Sequence, residues 1–564
     1  MTPSRIYTGS DAAADFGRIG TIMKSLKSLL LLASLLTCTV RADELSVGML
    51  PAENWWGLCS NFGRKMPFNA KSDFQCDLRV SNYDNQSQSL LVSDKGRVLY
   101  CEAPVEATIG GGTIRFVSDR GKIILAENAG KTLAEAFRFA SKAYFPPTGG
   151  EPEYLYFSAP QYNTWIELTY HQNEKDILAY AQSMIDHGLP PGIFMIDDTW
   201  QYDYGTWEFD PRRFPDPKGM VEKLHGMGFK VLLWMCPFVS MDSPSFRLVE
   251  YGRSPDTVEL QPKGGFVTDA NGAAAVVPWW NGRSALVDCS HPNGLKWMTD
   301  ALDRLRREFG VDAFKFDNSG LSNYIGVHAH DRDLDAAGQN GLYAGLALRY
   351  RGSECRSAFG LAGKPIIMRL IDKAHSWSAV QRLIPDMLAA GMTGYPFICP
   401  DMVGGGEWLA FLPGAPFDPE LFVRSAQIHA LCPMMQISAS PWRVLDAKHQ
   451  KAFLAAVALR QKFAPKFVAL AKNAAKTGEP IMRPLEYVFP GNGYAEIRDE
   501  FMMGEDLLVA PVVEKGVASR TVVLPPGTWR ADDGQVHAGG RTVSVETPLE
   551  RLPHFVRIGR GLLN

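Results

Sequence analysis

The stretch DAFKFDNSG, at residues 312–320, alternates aromatic and charged residues. Successive side chains of a strand point to opposite faces, so Phe314 and Phe316 share one face while Lys315 and Asp317 share the other. The aromatic face fits a buried strand, whereas burying two unpaired charges is costly. The sequence therefore predicts a strand whose charged face is turned toward a site that uses those charges.

Strand-like and helix-like segments alternate on both sides of this stretch. The strand-like runs lie at residues 164–170, 192–197, 229–235, 284–289, 312–317, 365–371, 393–398 and 429–437. Segments with apolar residues at helical spacing separate several of them. Eight such units within residues 151–445 predict a central parallel (β/α)₈ barrel. An open, doubly wound sheet is the alternative, but the glycine-rich phosphate turn typical of that fold does not follow the first run.

Short strands with tight turns flank the barrel region. Residues 43–150 contain strand-like runs such as 97–103 and 112–118, which predict an N-terminal antiparallel β-sandwich. Residues 446–480 have the amphipathic pattern of a helical connection, and residues 481–564 predict a C-terminal antiparallel β-sandwich. The chain is therefore predicted to be a multidomain α/β protein.

The N-terminus has the layout of an export signal. In residues 23–42 a basic start with Lys24 and Lys27 precedes an apolar run and a V-R-A ending, as in a secretory signal peptide. The apolar run is too short to span a membrane. Residues 1–22 are interpreted as an upstream extension, and lipidation of Cys38 is the alternative to cleavage. The sequence predicts an exported protein, periplasmic or secreted, without a membrane span.

Composition excludes several classes of function. The net charge of −3 gives no basic excess, so no nucleic-acid partner is predicted. None of the nine cysteines forms a C-x-x-C pair, which argues against a thiolate zinc site. No cofactor or metal is predicted, and the sequence does not indicate the oligomeric state. In an exported protein, one disulfide among Cys59, Cys76 and Cys101 is an open alternative.

Several predicted strands end in charged or aromatic residues, where the chemistry of such barrels lies. This set comprises Asp197, Asp198, Trp234, Lys315, Asp317, Arg369, Asp372 and Asp401. A pair of carboxylic acids is the usual apparatus for cleaving a glycosidic bond. Lys315 favours the charged form of Asp317, which predicts that Asp317 is the nucleophile and Asp372 the acid/base.

Each member of the set also has a purely structural interpretation. Asp198 is in a suitable place to cap a helix. Lys315 and Asp317 are able to form a structural ion pair, and Trp234 and Trp377 are of a type more often found in cores. Their convergence on one rim favours the catalytic interpretation.

The residues also resemble a known family. Residues 314–318, FKFDN, resemble the nucleophile strand of glycoside hydrolase family 31, the retaining α-glycosidases. Asp372 followed by Ser376-Trp377 is similar to the acid/base segment of that family, and residues 394–405 are similar to its G-x-P-F…D-x-G-G segment. The resemblance extends from about residue 160 to the C-terminus. Ile371 replaces the glycine that usually precedes the acid/base, and residues 436–440, QISAS, stand where many members have an Arg-x-His.

The resemblance implies a retaining exo-α-glycosidase with a covalent intermediate on Asp317, acting on an oligosaccharide or glycoside. IDDTWQ at 196–201 and FDPRRFPDP at 209–217 resemble the branch that includes α-galactosidases. An α-galactosidase is therefore predicted, with α-glucosidase, α-xylosidase and transglycosylase as alternatives and a non-catalytic carbohydrate-binding protein as the alternative from another class. The implied substrate-binding residues are Asp197, Asp198, Trp200, Trp234, Lys315, Asn318, Arg369, Trp377 and Asp401.

Overall fold

A computed structural model describes residues 43–243, 246, 264–317 and 320–559. The predicted extension and signal peptide, at residues 1–42, and Asn318 lie outside the described residues. Within the described part of the chain, no helix is both long and apolar enough to cross a bilayer.

The centre of the protein is a parallel sheet of eight short strands. In chain order they are Gln161–Asn163, Ile193–Ile196, Lys230–Met235, Ala313–Phe316, Glu354–Cys355, Ile367–Arg369, Ile398–Cys399 and Gln436–Ile437. The eighth strand pairs with the first, and a single parallel bridge from Met402 to Gln436 joins it to the segment after the seventh. The predicted (β/α)₈ barrel is confirmed.

The structure corrects two of the predicted barrel strands and adds one that was not predicted. Residues 164–170 contain the short helix Trp165–Leu168, and the first strand lies just before it. Residues 284–289 belong to an antiparallel sheet inserted between the third and fourth barrel strands; its strands are Phe238–Val239, Val276–Trp279 and Gly282–Leu286. The fifth barrel strand, Glu354–Cys355, escaped prediction because two residues without an apolar run leave no strand pattern.

Helices surround the barrel and cover the outward face of its strands. The longer ones are Glu174–Asp186, Pro217–Gly226, Pro292–Phe309, Ala336–Arg349, Trp377–Met392 and Pro419–Ala430. Short helical segments are Leu155–Ser158, Trp165–Leu168, Leu321–Tyr324, Trp408–Phe411 and Pro441–Val444. Five of the six longer helices begin where a side-chain oxygen accepts a hydrogen bond from a first-turn N–H, which satisfies an otherwise unpaired donor. The capping residues are Asn173, Asp216, Asp335, Ser376 and Asp418.

The alternation in the fourth strand has the predicted result. Phe314 packs edge-on against Tyr350, and Phe316 packs edge-on against Tyr343, with ring centroids 5.2 and 5.6 Å apart. Both tyrosines belong to the Ala336–Arg349 helix or its C-terminal end. The aromatic face is therefore turned outward to the helices, which leaves Lys315 and the following Asp317 on the inward side.

Antiparallel sheets precede the barrel. One contains Asp43–Gly48, Phe74–Asp77, Glu106–Gly110 and Thr113–Ser118. The other contains Trp55–Cys59, Gln86–Ser93, Val98–Cys101 and Ile123–Ala126, and it adds Ala358–Phe359 from the loop after the fifth barrel strand. The segment Ser60–Lys65 and the helix Leu133–Tyr144 complete this part. Cys59, Cys76 and Cys101 are buried and form no disulfide with one another.

The N-terminal sheet holds the loops that carry the site. Gln86 Nε2 donates to the carbonyl oxygens of Arg356, at 2.5 Å, and Arg369, at 2.9 Å. Asn85 Oδ1 accepts from the backbone N–H of Ile371 at 3.0 Å. Three positions at the ends of the fifth and sixth barrel strands are therefore fixed by two adjacent residues of the sheet.

A second β domain follows the barrel. The helix Ala447–Thr477 leads into it, and a short helix, Leu485–Val488, lies within it. One antiparallel sheet contains Met482–Arg483, Phe501–Met503, Leu507–Val509, Thr528–Ala531, Val536–Ala538 and His554–Arg557; a further pair is Ser519–Leu524 with Arg541–Glu546. The predicted architecture, a barrel flanked by antiparallel β domains, is confirmed.

Candidate active site

A pocket of about 220 Å³ opens at the carboxyl ends of the barrel strands. The side chain of Asp317 is 8% exposed and that of Asp372 is 31% exposed, so they lie at different depths. The residues that line the pocket are Trp165, Tyr170, Asp197, Asp198, Trp234, Trp280, Lys315, Asp317, Arg356, Asp372 and Trp408. Asp317 and Asp372 therefore share one cavity, as the sequence predicted.

Both carboxylate oxygens of Asp317 have a partner. Arg356 Nε lies 2.9 Å from Oδ1, and Trp234 Nε1 donates to Oδ2 at 3.0 Å. Burial acts to raise the pKa of Asp317, but the neighbouring cations, with Arg356 first and Lys315 second, outweigh it and hold the pKa well below its usual range. Asp317 is consequently ionised wherever the protein is folded near neutral pH.

Lys315 is paired with Asp197, not with Asp317. Its Nζ lies 2.6 Å from Asp197 Oδ2, and both side chains are almost fully buried. Burial acts to lower the pKa of Lys315, but the charge of Asp197 overcomes it and the pKa is raised. The interpretation of Lys315 and Asp317 as a structural ion pair is therefore wrong. Lys315 pairs with Asp197 at the edge of the pocket, and Asp317 pairs with Arg356.

Asp198 receives hydrogen bonds from the side chains of Tyr204, Asn281 and Gln201, the last at 3.4 Å. The Tyr204 hydroxyl donates to it at 3.1 Å, and Asn281 Nδ2 donates to its Oδ2 at 3.2 Å. Burial, followed by the charge of Asp197, raises the pKa of Asp198 to about 7. A β-hairpin, Gln201–Asp203 with Thr206–Phe209, follows this segment, so Asp198 caps no helix.

Arg369 and Asp401 lie beneath the pocket instead of lining it. Arg369 Nη1 donates to Asp372 Oδ1 at 2.5 Å and to Asp401 Oδ1 at 2.9 Å, and its Nε lies 3.4 Å from Glu354 Oε1. Asp401 is fully buried, has a positive φ of 107°, and its pKa is raised to about 7 by burial and then by the charge of Asp372. The predicted sugar contacts of Arg369 and Asp401 are therefore corrected: both act on Asp372 from behind.

Two predicted sugar contacts lie elsewhere. Trp200 is fully buried against Phe209, and its Nε1 donates to the carbonyl oxygen of Trp234 at 2.8 Å. Trp377 is half-buried at the first turn of its helix, and its Nε1 donates to Asp418 at 3.0 Å. Neither indole reaches the pocket, so Trp200 and Trp377 are structural. Asn318 lies outside the described residues.

Several lining residues were missed from the sequence. Arg356 follows the two-residue fifth strand, which was not recognised, so its place at a strand end was hidden. Trp280 sits in the inserted hairpin, whose second strand overlaps the run at residues 284–289 that the sequence assigns to the barrel. Trp165, Tyr170 and Trp408 belong to loops and short helical segments after the first and seventh strands. Their only signal in the sequence is that they are aromatic residues in segments that follow barrel strands, where pocket-lining residues are expected.

Comparisons with known proteins agree with this architecture. Residues 160–470, more than half of the chain, match the Glycosyl hydrolases family 31 TIM-barrel domain, and residues 478–560 match the Glycosyl hydrolase family 31 C-terminal domain. The fold is similar to that of a GH31 alpha-xylosidase from a soil metagenome complexed with xylose, with a TM-score of 0.77 and 20% identity over 92% of this chain and 80% of that one.

Curated relatives are longer than this chain. The Myogenesis-regulating glycosidase of Mus musculus is 32% identical over 422 residues, which cover 72% of this chain and 57% of the relative. An Alpha-xylosidase of Emericella nidulans is 26% identical over 569 residues, which cover 92% of this chain and 67% of the relative. The barrel, the β domain after it and these likenesses agree: the chain belongs to glycoside hydrolase family 31.

Proposed function

We propose that the protein is a retaining exo-acting α-glycosidase that hydrolyses a terminal α-linked sugar. The observation that carries this proposal is that Asp317 and Asp372 line one small pocket at different depths. Paired carboxyl groups on either side of a sugar are what glycoside cleavage requires. The pocket volume of about 220 Å³ is below the ~300–1,000 Å³ of sites for drug-sized ligands, which suits one sugar ring.

Asp317 has the surroundings of a nucleophile. Its low pKa keeps it ionised, and Arg356 and Trp234 hold its two oxygens in one orientation. A carboxylate that is 8% exposed has little room for a water between itself and the sugar. These contacts support direct attack on the anomeric carbon, which forms an ester to Asp317 as the bond to the leaving oxygen breaks.

Asp372 has the surroundings of the acid/base. It is the more exposed carboxyl of the pair, as suits a group that must meet both the leaving oxygen and the incoming water. In the first step it gives its proton to the leaving oxygen, and in the second it takes a proton from the incoming water. Water then attacks the anomeric carbon, the ester breaks and Asp317 is regenerated as a carboxylate.

The identity of the sugar is proposed from the relatives. The name of the Emericella nidulans relative supports α-xylosides, and with them the α-glucosides that share the configuration of their ring hydroxyls. The α-galactoside predicted from residues 196–201 and 209–217 rests on motif resemblance alone. We therefore propose xylo- or gluco-configured substrates, with the α-galactoside as the competing outcome of the test.

A panel of 4-nitrophenyl α-glycosides (xyloside, glucoside and galactoside) tests the proposal directly. We expect turnover of at least one, with the α-anomer of the free sugar appearing first by NMR. A 5-fluoro glycosyl fluoride of the same sugar should add the mass of one sugar to Asp317. The matched control is Asp317→Asn, which keeps the size of the side chain and should abolish both signals. Binding of the sugar without any turnover would instead establish a carbohydrate-binding protein.

A further inference from the structure

A second cavity, of about 530 Å³, shares no lining residue with the catalytic pocket. Residues 205–208, in the hairpin that follows the second barrel strand, form one wall, and the helix Pro292–Phe309 forms the other. We call this cavity the hairpin–helix groove. Its volume lies within the ~300–1,000 Å³ of ordinary ligand sites, so the groove can take a ligand larger than the single ring that suits the catalytic pocket.

The helix places an indole in a polar wall of this groove. Its side chains that face the protein core are Met298, Leu302 and Leu305, which are fully buried. Trp297 belongs to a different stripe, in which residues 297, 300, 301, 304 and 307 follow helical spacing and line the groove. The rest of that stripe is small or charged. Trp297 therefore offers a flat apolar face with hydrogen-bonding groups around it, a combination that suits a sugar ring.

The two walls are fixed to each other. Arg304 Nη2 donates to the carbonyl oxygen of Trp207 at 2.7 Å, and Arg304 Nη1 lies 3.6 Å from Glu208 Oε1. The rings of Phe209 and Phe309 pack edge-on, with centroids 5.1 Å apart. The groove is thus formed before a ligand arrives, which reduces the entropy that binding costs.

Every charged side chain that lines the groove has a partner of opposite charge. The pairs are Asp300–Lys296 at 2.6 Å, Asp303–Arg349 at 3.0 Å, Arg307–Glu308 at 3.2 Å and Arg304–Glu208 at 3.6 Å. An ionic ligand would have to displace one of these partners. A hydroxyl group, by contrast, can bond to a carboxylate or guanidinium that stays paired. The charges of the groove therefore favour a neutral ligand with many hydroxyl groups.

Two polar atoms of the hairpin wall are left without a bond. Trp207 is 2% exposed, and among the described residues neither its Nε1 nor Thr206 Oγ1 has a hydrogen-bond partner. Both residues line the groove. Since buried polar groups are nearly always paired, a ligand whose hydroxyl groups enter the groove would supply partners that the described residues do not.

We propose that the hairpin–helix groove is a second saccharide-binding site, in which Trp297 packs against a pyranose ring of a neutral oligosaccharide or polysaccharide. Asp300 accepts hydrogen bonds from the hydroxyl groups of that chain. The site goes beyond the proposed reaction, because none of its residues lines the catalytic pocket. The same hairpin carries Tyr204, which bonds to Asp198 of the pocket, so a saccharide held here lies on the other side of the pocket wall.

The test uses the Asp317→Asn protein labelled with 5-fluorotryptophan, so that the saccharide is not consumed and each indole gives its own fluorine resonance. Trp297→Phe and Trp234→Phe assign the signals of the groove and of the catalytic pocket. The probes are maltotetraose, isomaltotetraose and a xyloglucan heptasaccharide, with tetragalacturonate as a charged chain. We expect the Trp297 signal to titrate with at least one neutral probe and to stay in place with tetragalacturonate.

Asp300→Ala should weaken the binding seen at Trp297 about tenfold, the scale of hydrogen bonds to one charged group, and leave the Trp234 titration unchanged. The Asp300 side chain is 61% exposed, so its replacement should not affect folding. Tyr202→Ala is the matched control and should change neither titration, because Tyr202 is an exposed aromatic residue of the same hairpin that lines neither cavity.

A Trp297 signal that stays in place with every neutral probe would overturn the second site. So would one that follows the Trp234 midpoint in every variant, because it would then report the catalytic pocket through the shared hairpin. Equal titration with tetragalacturonate would overturn the neutral ligand. The glycosidase is judged separately by turnover: an inactive wild type whose Trp297 still titrates would overturn the proposed function alone, and an active one whose Trp297 does not titrate would overturn this site alone.

Discussion

Arg356 Nε lies 2.9 Å from Oδ1 of Asp317, and both side chains are buried in the wall of the pocket. Burial acts to raise the pKa of Asp317, and the charge of Arg356 is the largest influence that opposes it. Arg356 therefore decides how far the solution can be acidified before Asp317 takes up a proton and ceases to be a nucleophile.

The first prediction concerns Arg356→Met. Without the guanidinium the pKa of Asp317 rises, so the acid limb of the kcat/KM–pH profile should move to higher pH. We also expect kcat/KM at neutral pH to fall about 10–100-fold, the scale of one charged contact. Arg351→Met, which removes a charge from the turn that precedes the fifth barrel strand and lies outside the pocket lining, should change neither. An acid limb that stays in place would contradict the role given to Arg356.

The second prediction concerns the bridge from the N-terminal sheet. Gln86 is fully buried, and its Nε2 holds the backbone carbonyls that carry Arg356 and Arg369. Gln86→Leu keeps the volume but loses both of these hydrogen bonds, each worth about 1 kcal/mol, together with the bond that Gln86 Oε1 accepts from Ser60 Oγ at 2.8 Å, so the two catalytic loops lose a common anchor. We expect kcat to fall about tenfold at temperatures well below unfolding, with KM changed less.

Gln88→Leu is the control for that experiment. Gln88 lies on the same buried strand, two residues further along, and among the described residues its Nε2 has no hydrogen-bond partner. Replacing it removes the same amide group without releasing a catalytic loop. If both variants lose the same activity, the effect belongs to the sheet in general and not to the bridge.

The sequence predicted the barrel and the inward charges because both depend on local periodicity. Phe314 and Phe316 alternate with Lys315 and Asp317, and a period of two residues assigns each to a face without knowledge of the rest of the fold. The fifth strand has only two residues, too few for a period to be visible, and Arg356 was lost with it. A strand is therefore recognised from its local pattern only when it is long enough for the two-residue period to repeat.

Depth within the site could not be predicted. Arg369 and Asp401 follow predicted strands just as Asp372 does, yet they lie under the pocket while Asp372 lines it. Trp200 and Trp234 are both tryptophans near predicted strand ends, but of the two only Trp234 lines the cavity. Which of two neighbouring side chains meets the cavity depends on loop conformation and on packing between distant segments, and neither leaves a pattern in the sequence.

The third prediction concerns Asp372→Asn. An amide cannot protonate the leaving oxygen, so kcat/KM for an α-linked disaccharide should fall by about 10²–10⁴-fold. Hydrolysis of the α-glycosyl fluoride of the same terminal sugar should fall far less, because fluoride departs with little need of a proton. Azide should accelerate turnover of the α-glycosyl fluoride and release a glycosyl azide, since it attacks the intermediate without a general base. It should not restore cleavage of the disaccharide, whose first step still lacks its acid. A uniform loss on every substrate, without rescue, would refute the acid/base assignment.

Asp401→Asn provides the comparison for Asp372. Asp401 shares Arg369 Nη1 with Asp372 but is fully buried beneath it. Its replacement changes the support of Asp372 and removes no proton donor from the pocket. We therefore expect Asp401→Asn to slow the disaccharide and the fluoride by similar factors and to gain nothing from azide.

The last prediction is a pH dependence of stability at Asp198, whose pKa burial raises to about 7. Since the unfolded value is near ~4, the folded state holds this proton more tightly, and the stabilisation is lost as pH rises through about 7. Between pH 5 and 8 the loss approaches about 3 kcal/mol. Asp198→Asn should reduce the decrease in the thermal unfolding midpoint between pH 5 and 8. The decrease that remains is due to Asp401 and Glu500, whose pKa values are also raised to about 7. An unchanged slope would mean that Asp198 is ionised throughout.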